Sequence, residues 1–338
     1  MKEKSYYGGY FWVAALSFIV PIFVAYAAFE KLTPTTKPSP QPDVSGVDHN
    51  LWDYLLRTYV ENGLVDYNGM SKDYLFKTYL RQIAAADPSK LTTREEKLAL
   101  HCNAYNALVI NGVISHKIHR NEKNVLSYTP KEVAAKVAKL EAEMAECKRS
   151  PDPDPACLAD LTKKVDTLRA ESQFFRLKEH VFANETISLD HLEQEMIRPV
   201  FQEPRIHVAL VCAAKSCPPI RAEAYIGDRI ESQLQDQSKQ FANNREYVDF
   251  DAAAKTVRLS ALLNWYSDDW SAAGGIYEWL GGLNEDAAVQ EALKGASVDQ
   301  VKVEFNTYDW TLNAQNSSLS SGGGKSSGGF GSGSVPNE

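Results

Sequence analysis

The sequence predicts an α+β fold: a mostly helical single domain with short antiparallel β hairpins, plus an inserted helical hairpin and an N-terminal membrane-spanning helix. Residues 47–313 form the body, in which apolar residues recur at helical spacing. The strand-like stretches are short and come in neighbouring pairs rather than as strand–helix–strand units. Residues 32–46 are a Pro-rich linker, and residues 314–338 are a Gly/Ser-rich tail that we expect to be disordered.

Residues 1–31 are predicted to place the body outside the cytoplasm. Residues 11–29 are an apolar run, and about 20 apolar residues span a bilayer. The basic leader before the run favours a cytoplasmic N-terminus, so we expect a membrane anchor with the body in the periplasm or at the cell surface. The alternative is a signal peptide cleaved near Ala27, which would secrete the body.

The composition excludes two broad classes of protein. The chain has 338 residues, with 36 Lys plus Arg against 44 Asp plus Glu, and a formal net charge of −8. Nucleic-acid backbones bind cationic surfaces, so this acidic chain is not expected to be a general nucleic-acid binder. Hydrophobic residues make up 44% and charged residues 24% of the chain, which is typical of a folded protein and excludes disorder throughout.

The helices of the body are predicted from apolar spacing. They cover residues 51–59, 74–83, 93–119, 190–199 and 226–241. Thr93 and Glu96 form a capping box that opens the longest helix, and Pro199 is expected to stop the fourth. The predicted strands are residues 180–189, residues 247–250 paired with 256–259, and residues 301–305.

Residues 130–172 look like an inserted helical hairpin. Apolar residues alternate in steps of four and three on both sides of a proline-rich turn, which is the spacing of a coiled-coil seam. Two helices that fold back here bring Cys147 and Cys157 to the same end. We predict a disulfide between them in an oxidising compartment, where it would stabilise a hairpin too short to be stable alone.

Asn103 and Asn106 are candidate site residues on one otherwise apolar face of the longest predicted helix. A buried amide is costly unless it is hydrogen-bonded. We therefore expect both side chains to clamp backbone groups of a neighbouring segment. The alternative is that they orient a catalytic side chain.

Cys217 is the candidate nucleophile. It lies in a turn before two prolines, with Lys215 and Arg221 nearby, and local positive charge lowers the pKa of a thiol. His207 is the candidate base if the chain folds back. No metal or cofactor is predicted, because no ligand set of suitable spacing is visible.

A structural role for the cysteines is the competing hypothesis. In an oxidising compartment Cys212 and Cys217 would form a disulfide that closes a tight loop, or either of them would pair with Cys102.

Four segments of the body resemble the family catalogued as domain of unknown function 547. They are residues 103–108, 187–193, 205–219 and 308–313. The resemblance spans about residues 51–313 and departs from the family at the hairpin of residues 130–172. It implies no activity, but it implies that the following residues belong to the family core: Asn103, Tyr105, Asn106, His207, Ser216, Cys217 and Asp309.

Two functions remain open from the sequence. The first is a thiol-dependent hydrolase or transferase of the cell envelope that acts on amide-type bonds, with Glu193 or Asp190 orienting the base His207. The second is a non-catalytic envelope module with structural disulfides and a partner-binding face on the helical hairpin. The expected partners are an envelope protein or a peptide-like substrate, and the lipid bilayer through residues 11–29.

Overall fold

The computed structural model describes residues 41–121, 124–149 and 154–315. Within these ranges, no helix combines the length and the apolar character needed to cross a membrane. The predicted anchor, residues 11–29, and nearly all of the predicted tail lie outside the described residues.

The described residues are mostly helical, with short strands, as the α+β prediction requires. The helices are α1 His49–Tyr59, α2 Tyr67–Lys72, α3 Tyr74–Ala84, α4 Arg94–Ser115, α5 Ile118–Asn121, α6 Lys131–Arg149, α7 Pro155–Glu171, α8 Leu189–His191, α9 Arg198–Phe201, α10 Ile230–Ala242, α11 Ala261–Trp265, α12 Ile276–Gly281 and α13 Ala287–Ala296. The strands are β1 Val60–Glu61, β2 Leu64–Val65, β3 His180–Phe182, β4 Glu185–Ile187, β5 Val248–Asp251, β6 Thr256–Leu259 and β7 Lys302–Phe305.

Helix α4 runs through the centre of the main hydrophobic core. The predicted capping box is confirmed: Thr93 Oγ1 accepts from the backbone N–H of Glu96, and the Glu96 carboxylate accepts from the backbone N–H of Thr93. Residues 98–110 are all buried, because neighbouring elements cover the helix on every side. The helix ends before the predicted His119, since Lys117 adopts a left-handed φ of 58° that an α-helix cannot include.

A second, smaller core lies around the sheet of β5, β6 and β7. Strands β5 and β6 pair antiparallel, as predicted, but β7 pairs parallel to β6. The prediction that the strands pair only as antiparallel hairpins was therefore wrong for β7. A parallel pair needs a long crossover connection, and α11, α12 and α13 supply it between β6 and β7. The core of this unit contains Trp270, Leu280 and Leu293.

Residues 189–201 form one continuous run of helical turns. Its cap is Ser188, whose hydroxyl accepts from the backbone N–H of His191, so the helical turns begin at residue 189 rather than at the predicted residue 190. The middle turn, Leu192–Ile197, is a π-helix. The expected stop at Pro199 was wrong: this residue stands in the first turn of α9, where no N–H donor is required, so the run of helical turns continues.

Helices α6 and α7 form the predicted helical hairpin. Val137 of α6 and Leu161 and Val165 of α7 are buried. All five cysteines are free in the structure, and the thiols of Cys147 and Cys157 lie within hydrogen-bonding reach of each other. The hairpin thus brings the two sulfurs together, and their disulfide stays a prediction.

Candidate functional site

The candidate site lies where three segments meet. They are helix α4, the loop of residues 209–217, and residues 306–315, which we call the C-terminal strap. Asn106 on α4 fixes the loop: its Nδ2 donates to the carbonyl of Ala209 at 3.0 Å, and its Oδ1 accepts from the N–H of Val211 at 3.0 Å. The predicted backbone clamp is confirmed for this residue.

Asn103 clamps a different segment in the same way. Its Oδ1 accepts from the N–H of Tyr225 at 2.9 Å, and its Nδ2 donates to the carbonyl of Tyr225 at 2.7 Å and lies 3.1 Å from His49 Nδ1. Because both ends of this buried amide, like those of Asn106, are bonded within the protein, we assign both residues a positioning role.

The C-terminal strap pairs with the loop through backbone groups. Lys215 N–H donates to the carbonyl of Thr311 at 2.8 Å. Asp309 N–H donates to Ser216 Oγ at 2.8 Å, and Ser216 N–H donates back to the carbonyl of Asp309 at 3.2 Å. These bonds hold Tyr308 of the strap over the two cysteines of the loop.

Cys212 and Cys217 form a thiol pair under Tyr308. The Sγ of Cys217 accepts from the backbone N–H of Cys212 at 3.1 Å, and the two thiols are hydrogen-bonded to each other. The Tyr308 hydroxyl lies 2.8 Å from Cys212 Sγ and also bonds to Cys217. Cys217 is only 3% exposed, whereas Cys212 is half-buried.

The surroundings of Cys212 do not favour a thiolate. Burial raises the pKa of Cys212 well above its ordinary value, and the sulfur of Cys217 and the carboxylate of Glu193 raise it further. The predicted positive charge is not directed at the pair. Arg221 is bound at 2.6 Å by a carboxylate on each side, Glu223 and Asp236, and Lys215 is exposed.

His207 belongs to a separate polar group. Its Nε2 lies 2.6 Å from Oδ2 of Asp269, and its ring stacks on Tyr266 with centroids 3.9 Å apart. Arg198 donates to both carboxylate oxygens of Asp269 at 2.9 Å. The hydrogen bonds from His207 and then Arg198 hold the pKa of Asp269 well below its ordinary value.

The predicted partners of His207 lie elsewhere. Glu193 accepts a hydrogen bond from the Tyr105 hydroxyl at 3.0 Å and another from Tyr266. Asp190 pairs with a surface arginine. Among the described residues, no hydrogen bond joins His207 to a cysteine, so its role as the base for Cys217 stays a prediction without a contact to support it.

Sequence reasoning missed the acid that binds His207. Asp269 carries no local signal, because its position beside Asp268 says nothing about a partner 62 residues away. Tyr308 was noted only within a family motif, although it covers the thiol pair. The available signal for Tyr308 was its place at the start of the motif of residues 308–313.

Two clefts border these groups. One, of about 350 Å³, lies over the strap and is lined in part by Lys215, Tyr247 and Tyr308. The other, of about 490 Å³, lies beside Arg198 and Asp269. Within the described ranges, no group of three or more His, Cys, Asp and Glu side chains is placed to hold a metal ion.

The comparison with protein families gives one match. A family model described as "Protein of unknown function, DUF547" matches residues 88–242. This interval includes the clamp residues of α4, the π turn and the loop with both cysteines. It confirms the resemblance over the first three motifs, while the fourth, residues 308–313, lies outside the matched interval. A search among curated proteins gave no match, and neither did a search among solved structures. Residues 88–242 of the chain therefore belong to the family of proteins of unknown function DUF547.

Proposed function

We propose that the body is a non-catalytic binding module of the cell envelope, in which Cys212 and Cys217 form a structural disulfide. The observation that carries this proposal is the contact between the two thiols under Tyr308. Two thiols held together in an oxidising compartment become a disulfide, and a disulfide here would close the loop of residues 209–217 on itself beneath Tyr308 of the strap.

The same contacts argue against a resting nucleophile. Attack by a cysteine requires the thiolate and access to the substrate. Cys217 is enclosed, and the pKa of Cys212 is raised by its burial. His207, the expected base, is bonded to Asp269 instead.

The envelope location rests on the sequence. The apolar run of residues 11–29 behind a basic leader supports either an anchor or a cleaved signal peptide, and both deliver the body outside the cytoplasm. The partner we propose is a molecule of the envelope.

Disulfide mapping of the exported full chain tests the proposal. The chain is expressed with its own N-terminal segment in a bacterial host, alkylated without reductant, digested, and analysed by mass spectrometry. We expect a peptide crosslinked through Cys212 and Cys217, while Cys102, which is buried in α4, is alkylated only after unfolding. Recovery of Cys212 and Cys217 as free thiols from the exported chain would contradict the proposal.

A thiol-dependent hydrolase or transferase that acts on amide-type bonds is the second candidate. Two observations favour it: Cys212 is half-buried rather than enclosed, and the hydrogen bond from Tyr308 acts to lower its pKa. In this case Cys212 rather than Cys217 would attack a peptide-like substrate. Fast alkylation of Cys212 by iodoacetamide at pH 6 would favour this candidate over the binding module.

A further inference from the structure

Three aromatic side chains form a cluster at the strap. Trp265, at the end of α11, lies with its ring centroid 4.9 Å from Tyr308 and 6.2 Å from Trp310, and Tyr308 and Trp310 are 4.7 Å apart. The two indole rings are nearly parallel, at 17°. All three side chains are half-buried, so each keeps part of its surface open to solvent.

The cleft of about 350 Å³ adjoins this cluster through Tyr308. Most of its lining can form hydrogen bonds, and the exposed side chains of Lys215 and Glu246 make no side-chain hydrogen bond with the described residues. The indole N–H groups of Trp265 and Trp310 also have no acceptor within the described part of the chain. These donors and acceptors are therefore available to a ligand.

We propose that this cleft and its aromatic rim bind a neutral saccharide chain. A pyranose ring presents an apolar face of C–H groups, which packs on the electron-rich face of an aromatic ring, and a rim of hydroxyls that donate and accept hydrogen bonds. The site offers aromatic rings for the apolar face of the sugar and hydrogen-bonding groups for its hydroxyls. Its volume is at the small end of the range for ligand sites, ~300–1,000 Å³, which suits one or two sugar rings with the rest of the chain extending outside.

The charges of the cleft disfavour other ligands. Glu246 and Asp309 outnumber Lys215, so a phosphate-bearing or otherwise anionic ligand is repelled. The polar lining disfavours a lipid or another wholly apolar ligand, because its polar groups would lose water without gaining partners. A peptide is the remaining competitor and forms an arm of the test.

This inference rests on the proposed binding-module function, for which it names the class of ligand. The test is calorimetric titration of the full chain in mild detergent with four probes: cellotetraose, maltotetraose, the N-acetylglucosamine tetrasaccharide and tri-alanine. We expect at least one tetrasaccharide to bind and tri-alanine not to bind.

Substitutions at the rim give the decisive comparison. Trp310→Ala should weaken saccharide binding by about tenfold or more, the effect of losing one stacked ring. Trp310→Phe should restore most of it, and circular dichroism checks that each variant is folded. Tyr74→Ala is the matched control, because this tyrosine is 62% exposed at the start of α3 and belongs neither to the lining of the cleft nor to the aromatic cluster.

Three results would overturn the inference: no tetrasaccharide binds, Trp310→Ala binds as tightly as the unaltered chain, or tri-alanine binds in place of the sugars. Repeating the titration with dithiothreitol separates the two proposals. If the exported chain has free cysteines and saccharide still binds, only the structural disulfide is refuted. If its cysteines are crosslinked and no saccharide binds, only the saccharide site is refuted.

Discussion

Removing the Asn106 clamp should destabilise the protein strongly. Asn106 is 3% exposed, and each end of its amide makes a 3.0 Å hydrogen bond to the backbone of the loop, at Ala209 and Val211. In Asn106→Ala both backbone groups stay buried without a partner. Each orphaned group costs about 1–3 kcal/mol, so the free energy of unfolding should fall by about 2–5 kcal/mol after some relaxation.

Urea unfolding of the full chain, followed by circular dichroism, measures this loss. Asn264→Ala is the matched control, because Asn264 is an exposed residue of α11 and its substitution should change the free energy of unfolding by less than about 0.5 kcal/mol. Asn106→Asp keeps the acceptor for Val211 but faces the Ala209 carbonyl with an oxygen, so it should also destabilise. Equal unfolding midpoints for Asn106→Ala and the control would refute the clamp.

Three further predictions concern other parts of the body. Burial lowers the pKa of His180 to about 4 from its ordinary 6.5, so between these pH values the unfolded chain binds more protons than the folded one. The free energy of unfolding should therefore decrease as the pH falls from about 6.5 to 4, by at most about 3 kcal/mol. His180→Leu should flatten this pH dependence in urea titrations. Gly112→Ala should cost about 1–3 kcal/mol, because the added Cβ would lie 2.8 Å from the Phe174 ring, and an unchanged melting temperature would contradict this packing. Oxidation of Cys147 and Cys157 should slow amide exchange in α6 and α7, and Cys157→Ser should exchange alike with and without dithiothreitol.

The elements predicted correctly are those fixed by neighbours in the sequence. The start of α4 follows from a capping box four residues long, and the two helices of the hairpin follow from apolar spacing around a proline-rich turn. The clamps were predicted because burial of an amide requires partners. Their partners at Ala209 and Tyr225 could not be named, since they lie more than 100 residues along the chain.

The elements predicted wrongly depend on contacts that the sequence does not encode locally. Pro199 was expected to end a helix, but the π turn before it places it at the start of a new helical turn. The parallel pairing of β7 depends on three intervening helices. The bond between His207 and Asp269 joins a 3₁₀ turn to another 3₁₀ turn, and neither segment has a periodic pattern that predicts where its side chains point.

The pH profile of thiol alkylation tests the central claim, that Cys212 and Cys217 are a hydrogen-bonded thiol pair without an activating charge. The reduced full chain is treated with iodoacetamide between pH 5 and 10, and the modification of each cysteine is followed by mass spectrometry, with exposed Cys157 as the internal reference. We expect both cysteines of the pair to react more slowly than Cys157 throughout, and the rate of Cys212 to keep rising above about pH 8.5, the ordinary pKa of a thiol. A rate for Cys212 or Cys217 that exceeds that of Cys157 and levels off below pH 7 would contradict the account.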